Sequence, residues 1–213
     1  MPASEKAPAA CLIGWPAAHS RSPIIHHHWL HRFGIAGGYN IEAVPPEGFA
    51  EFVQNLSHHG FVGANVTIPH KERALLLTEP DERARSVGAA NTLWYEGETL
   101  RSTNTDIEGF INNLDASAPG WDVADEAVVL GAGGSSRAVV FGLLERGLKR
   151  VHLVNRTAGR AQALADQFGA RVSPRGWEAL GELLPRAQLL VNTTSLGMKG
   201  QPALEIDLGL LPA

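Results

Sequence analysis

Residues Val128-Val-Leu-Gly131-Ala-Gly133-Gly134-Ser-Ser136-Arg137-Ala138 constrain the fold more than any other stretch. An apolar run, a glycine turn and the start of a helix follow one another without a gap. Gly131 permits the turn. Gly133 lets the backbone approach a pyrophosphate, and the helix N-terminus then offers its N–H groups to that anion. The pattern fits the first turn of a dinucleotide-binding βαβ unit, with Ser136 in place of the third glycine or alanine. The competing reading is a glycine-rich turn without a ligand. Around it, strands are expected over Ala127–Leu130, Val151–Asn155 and Leu189–Thr193, and helices over Gly133–Arg146 and Ala158–Phe168.

The end of the next strand bears on the choice of dinucleotide. An NAD site places Asp or Glu about 20 residues beyond the glycine turn, on the ribose 2′-hydroxyl. Here Asn155-Arg156-Thr157 stands 21 residues after Gly134. No acid is present to repel a 2′-phosphate. Arg156 can pair with one, and Arg160 lies one helical turn on. The expectation is NADP; the alternative for Arg156 is a solvated surface charge.

The rhythm of strand and helix also runs through the first half. Strands are expected over Cys11–Trp15, Tyr39–Val44 and Phe61–Ile68, and helices over Pro23–Phe33, Pro46–Leu56 and Pro69–Leu77. Residues 79–87 read as one or two helical turns. Asn91–Tyr95 and Thr99–Thr103 read as a hairpin about Glu96-Gly97-Glu98, followed by a helix over Ile107–Leu114. The class is α/β, with a mostly parallel sheet in the first domain. Ala116–Gly120 is the best linker, so the expected domains are residues 1–117 and 118–213. The net charge of −4 gives no footprint for nucleic acid. Cys11 is the only cysteine and is compatible with a reducing compartment. No apolar run approaches the ~20 residues of a membrane span, and Met1–Ala10 lacks a secretory core. A cytoplasmic protein is expected.

Several polar residues fall where strands meet helices. Ser22 reads as the N-cap of the first helix, with Pro23 at its first position. Ser20 and Ser22 together could donate to a carboxylate; the plainer reading of Ser22 is a cap alone. Lys71 falls in the first turn of a helix, where a cation opposes the dipole. It is either an acid–base group or an exposed helical lysine. Thr105 and Glu108 match a capping box, which leaves Asp106 to face a cleft or simply to complement the dipole. His26, His27, His28 and His31 crowd one helix without a carboxylate or cysteine at ligand spacing, so no metal is expected. The five tryptophans read as packing, and no apolar stripe beyond the needs of the core is evident.

Together these motifs resemble the shikimate dehydrogenase family. The resemblance rests on Ser20-Arg-Ser22-Pro23, Asn65-Val-Thr67-Ile-Pro69-His-Lys71, Gly88-Ala-Ala-Asn91-Thr92 and Asn104-Thr-Asp106-Ile-Glu-Gly109. The glycine turn and Asn155-Arg-Thr157 follow in the family's order. It runs from about Leu12 to Gly197. The resemblance implies that Ser20 and Ser22 hold a substrate carboxylate and that Asn65, Thr67 and Asn91 bond ring hydroxyls. It makes Lys71 the acid–base residue, paired with Asp106 beside the reacting oxygen. Gly131, Ala132, Gly133, Gly134 and Ser135 would cradle the pyrophosphate. Asn155, Arg156, Thr157 and Arg160 would hold the 2′-phosphate, with Thr194 and Glu82 also on the cofactor side. The implied reaction is NADPH-dependent reduction of 3-dehydroshikimate to shikimate, by a monomer or homodimer acting on a small molecule.

The resemblance also implies a longer chain. The family continues past residue 213 with the last Rossmann strands and closing helices. About four strands are expected after the linker, where a doubly wound fold has about six. The expectation is therefore a Rossmann-like domain lacking its last strands, in a piece of a longer protein or a divergent short form. Two rival functions stay open: a quinate/shikimate dehydrogenase or a relative on a similar ring acid, and a non-catalytic dinucleotide-binding or regulatory protein.

Overall fold

A computed structural model describes residues 7–212. The chain divides into two compact units, one ending at Thr105 and the other beginning at Asp106. The first unit contains β1 (Ala9–Gly14), α1 (Ser22–Arg32), β2 (Gly38–Ala43), α2 (Phe49–Gln54), β3 (Phe61–Val66), α3 (Lys71–Leu76), β4 (Glu79–Pro80), α4 (Glu82–Val87), β5 (Thr92–Glu96) and β6 (Thr99–Thr103). Its sheet runs β2-β1-β3-β5-β6-β4. β1 lies parallel to both β2 and β3, and the β5–β6 hairpin joins antiparallel to β3. Cys11 and Ile13 of β1 are buried in the core with Phe49 and Val53 of α2, Val66 of β3 and Leu93 of β5. A strand covered on both faces needs an unbroken apolar run, which Cys11-Leu-Ile13 supplies.

The second unit contains α5 (Asp106–Ser117), β7 (Glu126–Leu130), α6 (Gly134–Glu145), β8 (Arg150–Val154), α7 (Ala158–Phe168), β9 (Val172–Arg175), α8 (Leu180–Leu183) and β10 (Leu189–Asn192). Its four strands are all parallel, in the order β10-β7-β8-β9. β7 is apolar throughout its buried length, Ala127–Leu130. Val139, Val140, Leu143 and Leu144 of α6 form the helical stripe that covers it. Each such side chain contributes about 1.5–3 kcal/mol by leaving water. α5 belongs with this unit because Ile107 is buried and Phe110 packs on the same cluster. Ala116 and Ser117 of the expected linker are therefore the last residues of α5, and residues 118–120 follow it.

Several local expectations are corrected. Residues 79–87 are not helical throughout: Glu79-Pro80 pairs with β6, and Asp81 then caps α4 by accepting from Ala84 N at 2.8 Å. α3 starts at Lys71, because Pro69 lies in the preceding turn, closed by His70 N–H to Thr67 O at 3.0 Å. Arg21, not Ser22, occupies the N-cap of α1, and the hydroxyl that serves the helix start is Ser20 Oγ, 3.1 Å from Ser22 N. β9 carries Pro174, which suits an edge strand and hides its strand character in the sequence. Trp15, Trp29 and Trp94 are exposed, so only Trp121 and Trp177 pack on core clusters. α1 buries no residue and exposes Ile24, Ile25 and Trp29, so an apolar stripe beyond the core does exist. Among the described residues, no helix is long and apolar enough to cross a membrane.

His70 ties α2 to the start of α3. Its ring stacks on Phe49 at 4.2 Å, and its Nε2–H donates to Val44 O at 2.8 Å. The carbonyl can only accept, so this nitrogen carries the proton. Burial, the largest influence, pushes the His70 pKa below 6.5. As pH falls, the unfolded chain therefore takes up this proton before the folded one does, and stability drops below the unfolded value. His26 contributes with the same sign, again chiefly through burial. We expect the melting temperature to fall from about pH 7.5 to about pH 5.5, and His70→Gln to make that fall shallower. An equally steep acid limb in the variant would contradict the assignment.

Candidate active site

In the first unit the side chains of Tyr39, Asn65, Thr92 and Asn91 form one hydrogen-bonded chain that ends at Thr105, with the Ser20–Ser22 pair beside its start. Ser20 Oγ donates to Ser22 Oγ at 3.1 Å, in the loop that opens α1. The Ser22 hydroxyl faces the phenol of Tyr39 on β2. Tyr39 Oη donates to Asn65 Oδ1 on β3 at 2.7 Å, and Asn65 Nδ2 donates to Thr92 Oγ1 on β5 at 3.3 Å. Thr92 Oγ1 donates to Asn91 Oδ1 at 3.0 Å, and Thr105 N donates to the same oxygen at 2.9 Å. The backbone N–H of Thr105 cannot reverse, so Asn91 must present its oxygen there and its amide nitrogen to Thr105 Oγ1, at 3.1 Å. Thr92 must then donate, Asn65 must turn its nitrogen to Thr92, and Tyr39 must donate to Asn65. Side-chain amide orientations are ordinarily inferred; here one backbone group sets two of them.

The parallel sheet explains why these residues meet. Ser20, Asn65 and Thr67 all follow or end β1 and β3, adjacent parallel strands whose carboxyl ends lie together. Thr67 N bonds Ile13 O at 2.9 Å, which seats its side chain against β1. A Cβ at Gly14 would collide with the Thr67 methyl group, so that position excludes any larger residue. Lys71 opens α3, and its carbonyl accepts from Ala90 N at 2.9 Å, next to Asn91. Buried Asn104 holds Ala89 O at 2.9 Å. Ser20, Ser22, Asn65 and Asn91 are thus brought together, with Thr67 and Lys71 on the adjoining turn. Tyr39, Thr92 and Thr105 are the partners that the sequence reading did not assign to the site. His27 Nε2 accepts the Tyr39 N–H at 3.3 Å, and the His26 ring stacks on Tyr39 at 3.9 Å. The histidine-rich helix α1 therefore braces β2.

In the second unit, the glycine turn is held from beneath. Gly131 has φ of 104°, and a Cβ there would press on Thr193 Oγ1 at 2.8 Å. Gly133 N donates to Ser136 Oγ at 3.1 Å, Ser136 bonds Thr193 Oγ1 at 2.6 Å, and Thr193 Oγ1 donates to Leu130 O at 2.6 Å. Thr193 spends its proton on Leu130, so Ser136 is the donor between them. Ser136 is fully buried. The departure from a third glycine is therefore a clamp that ties the turn to the end of β10. Ser136→Ala is expected to remove the acceptor of Gly133 N–H and the donor to Thr193 Oγ1, two hydrogen bonds, and to cost about 1–3 kcal/mol in denaturant unfolding. A loss no greater than at an exposed serine would show that the clamp does not hold.

Above the turn the structure is open. No atom lies within 4 Å of a Cβ built at Gly133, and the first turn of α6 contains no acid. Ala132 is buried in the turn, and Gly134 and Ser135 begin the helix. Asn155, Arg156 and Thr194 share a cavity of about 650 Å³ with Trp177, Leu196 and Glu205. Asn155 Nδ2 donates to Thr157 O at 2.9 Å, which shapes the turn that starts α7, where Arg160 stands. Arg156 is exposed and has no carboxylate partner among the described residues. Asp106 is the first residue of α5 and belongs to the second unit, whereas Lys71 and Glu82 belong to the first.

The comparisons with known proteins agree with this arrangement. The shikimate dehydrogenase substrate-binding domain matches residues 12–93, and the shikimate/quinate 5-dehydrogenase family matches residues 120–198. The chain is 79% identical over 204 residues to a shikimate dehydrogenase (NADP(+)) of Rhodopseudomonas palustris strain BisB18, covering 96% of this chain and 74% of that protein. It is 77% identical over 212 residues to the protein of the same name from Nitrobacter hamburgensis, covering 100% and 74%. Among solved structures, shikimate 5-dehydrogenase of Thermus thermophilus in complex with NADP(H) and shikimate matches with a TM-score of 0.82 and 36% identity, over 96% and 75% of the two chains. Quinate dehydrogenase of Corynebacterium glutamicum in complex with NAD matches with a TM-score of 0.83 and 27% identity, over 96% and 77%. By these matches, and by motifs that stand where a substrate domain and a dinucleotide fold require them, the chain belongs to the shikimate dehydrogenase family.

Proposed function

We propose that the protein catalyses the reversible reduction of 3-dehydroshikimate to shikimate with NADPH. The observation that carries the reading is the polar chain running from Ser20 and Ser22 to Asn65 and Asn91 within one unit. It sets two hydroxyls at one end and two amides at the other. A small ring with one carboxylate and several hydroxyls has the matching distribution of acceptors and donors. Ser20 and Ser22 bind the carboxylate, and Asn65, Thr67 and Asn91 bind the ring hydroxyls. On this reading residues 1–117 serve the substrate and residues 118–213 the cofactor, in a monomer or homodimer of the cytoplasm.

The second unit fits a dinucleotide. The space over Gly133 is a cradle that any Cβ would fill, and α6 directs its N-terminus to it. Gly131 through Ser135 take the pyrophosphate, and Asn155, Arg156, Thr157 and Arg160 take the 2′-phosphate, with Thr194 on the same cavity as Asn155 and Arg156. Glu82 is placed on the cofactor side by family likeness alone. When bound, NADPH supplies the hydride for the carbonyl carbon. Lys71 gives a proton to the carbonyl oxygen in reduction and removes it from the hydroxyl in oxidation. Asp106, a carboxylate at the first position of α5, is assigned the second catalytic place from family likeness.

Arg156→Ala is expected to weaken NADPH binding by about 1.5–3 kcal/mol and to leave NADH nearly unchanged. Titration of nucleotide fluorescence reads both, and equal losses would sink the NADP assignment. Lys71→Ala is expected to lower kcat by about 10²–10⁴ while shikimate binding survives. Normal turnover in that variant would reject the acid–base role. Ser20→Ala and Ser22→Ala are expected to raise KM for shikimate but not for an analogue without the carboxylate. The ratio of kcat/KM for shikimate and quinate in the unaltered protein decides the ring preference.

A further inference from the structure

Tyr39 lies outside every motif that suggested the function, yet it is the link on which the site's polar chain turns. Its ring is 3% exposed, on β2 between the serine loop and Asn65. A buried tyrosine needs a partner for its hydroxyl. This one donates to Asn65 Oδ1 at 2.7 Å and faces the Ser22 hydroxyl. Burial, the largest influence, pushes the phenol up to about 12, so it remains an O–H donor throughout the neutral range. His26 stacked on one face and His27 bonded to its backbone N–H hold the ring in place.

We propose that Tyr39 is a positioning residue: its hydroxyl fixes the Asn65 amide in the one orientation that offers an N–H to a hydroxyl of the substrate. The inference rests on the reading of Asn65 as a substrate contact. Tyr39 and Thr92 hold opposite ends of that amide, an oxygen toward the phenol and a nitrogen toward the threonine. With one N–H given to Thr92, the second remains for a hydroxyl of the substrate. Without the phenol, Oδ1 loses its donor and the amide is held only by its 3.3 Å bond to Thr92. The substrate then loses a directed donor although Asn65 itself is still present. Tyr39 also joins the end of the site that takes a carboxylate to the end that takes hydroxyls, so the two are set in register by one ring.

The test is a double-mutant cycle on shikimate affinity, measured by calorimetry with Tyr39→Phe, Asn65→Ala and the double variant. Tyr39→Phe removes one oxygen and keeps the ring packing. We expect it to weaken shikimate about 10-fold with Asn65 present, and less than about 2-fold with Asn65→Ala. NADPH affinity should not move. Equal losses in both backgrounds, or no loss with Asn65 present, would overturn the positioning role. If Tyr39→Phe does not fold, Thr92→Val replaces it in the same cycle with the same expected pattern, since it releases the other end of the amide. Should Asn65→Ala leave shikimate affinity unchanged, the functional reading of Asn65 fails first, an outcome distinct from an additive cycle.

Discussion

The hydrogen bond from Thr105 N–H to Asn91 Oδ1, 2.9 Å long, governs the direction of the polar chain in the first unit. A hydroxyl can donate or accept, and an amide can turn over, so a ring of serines, threonines and asparagines has many arrangements of similar energy. A backbone N–H has one. Because it meets the acceptor end of Asn91, each residue back to Tyr39 inherits a fixed role. Fully satisfied buried networks specify a single arrangement, and the penalty for an unpaired buried group enforces it. Asn91 is therefore a structural anchor as well as a candidate ligand contact.

A comparable device operates in the second unit with different residues. Thr193 commits its proton to Leu130 O, which makes Ser136 the donor to Thr193 and the acceptor for Gly133 N–H. Here too a main-chain group sets the direction, this time a carbonyl. The result is a glycine turn whose lower side is bonded down and whose upper side is open. Binding energy for a dinucleotide then does not have to order the loop first, which is the general advantage of a preorganised site.

Much of the architecture was legible in the residues. The glycine turn at Gly131–Gly134 and the α7 boundaries at Ala158 and Phe168 follow directly from local chemistry, because turn residues and apolar stripes are short-range signals. β9 was not legible, since Pro174 and a single buried valine look like loop until the neighbouring strand supplies its bonds. The exposed face of α1 was hidden for a related reason: Ile24, Ile25 and Trp29 fit a helical stripe, and only the fold shows that none is buried. Motifs pointed to Ser20, Ser22, Asn65 and Asn91, but not to Tyr39. Its contact with Asn65 spans 26 residues and two strands, and no local pattern records a partner at that range. The N-cap of α1 was misplaced by one residue because Ser20 and Ser22 offer the same chemistry, and only backbone geometry separates them.

The central claim is one of proton positions: a single direction of donation from Tyr39 to Asn91. Neutron diffraction from crystals of the deuterium-exchanged protein reads those positions without reference to activity. The account predicts deuterium on Tyr39 Oη pointing to Asn65 Oδ1, and deuterium on Thr92 Oγ1 pointing to Asn91 Oδ1. A Tyr39 deuterium pointing to Ser22, or an Asn65 amide with its nitrogen toward the phenol, would contradict it.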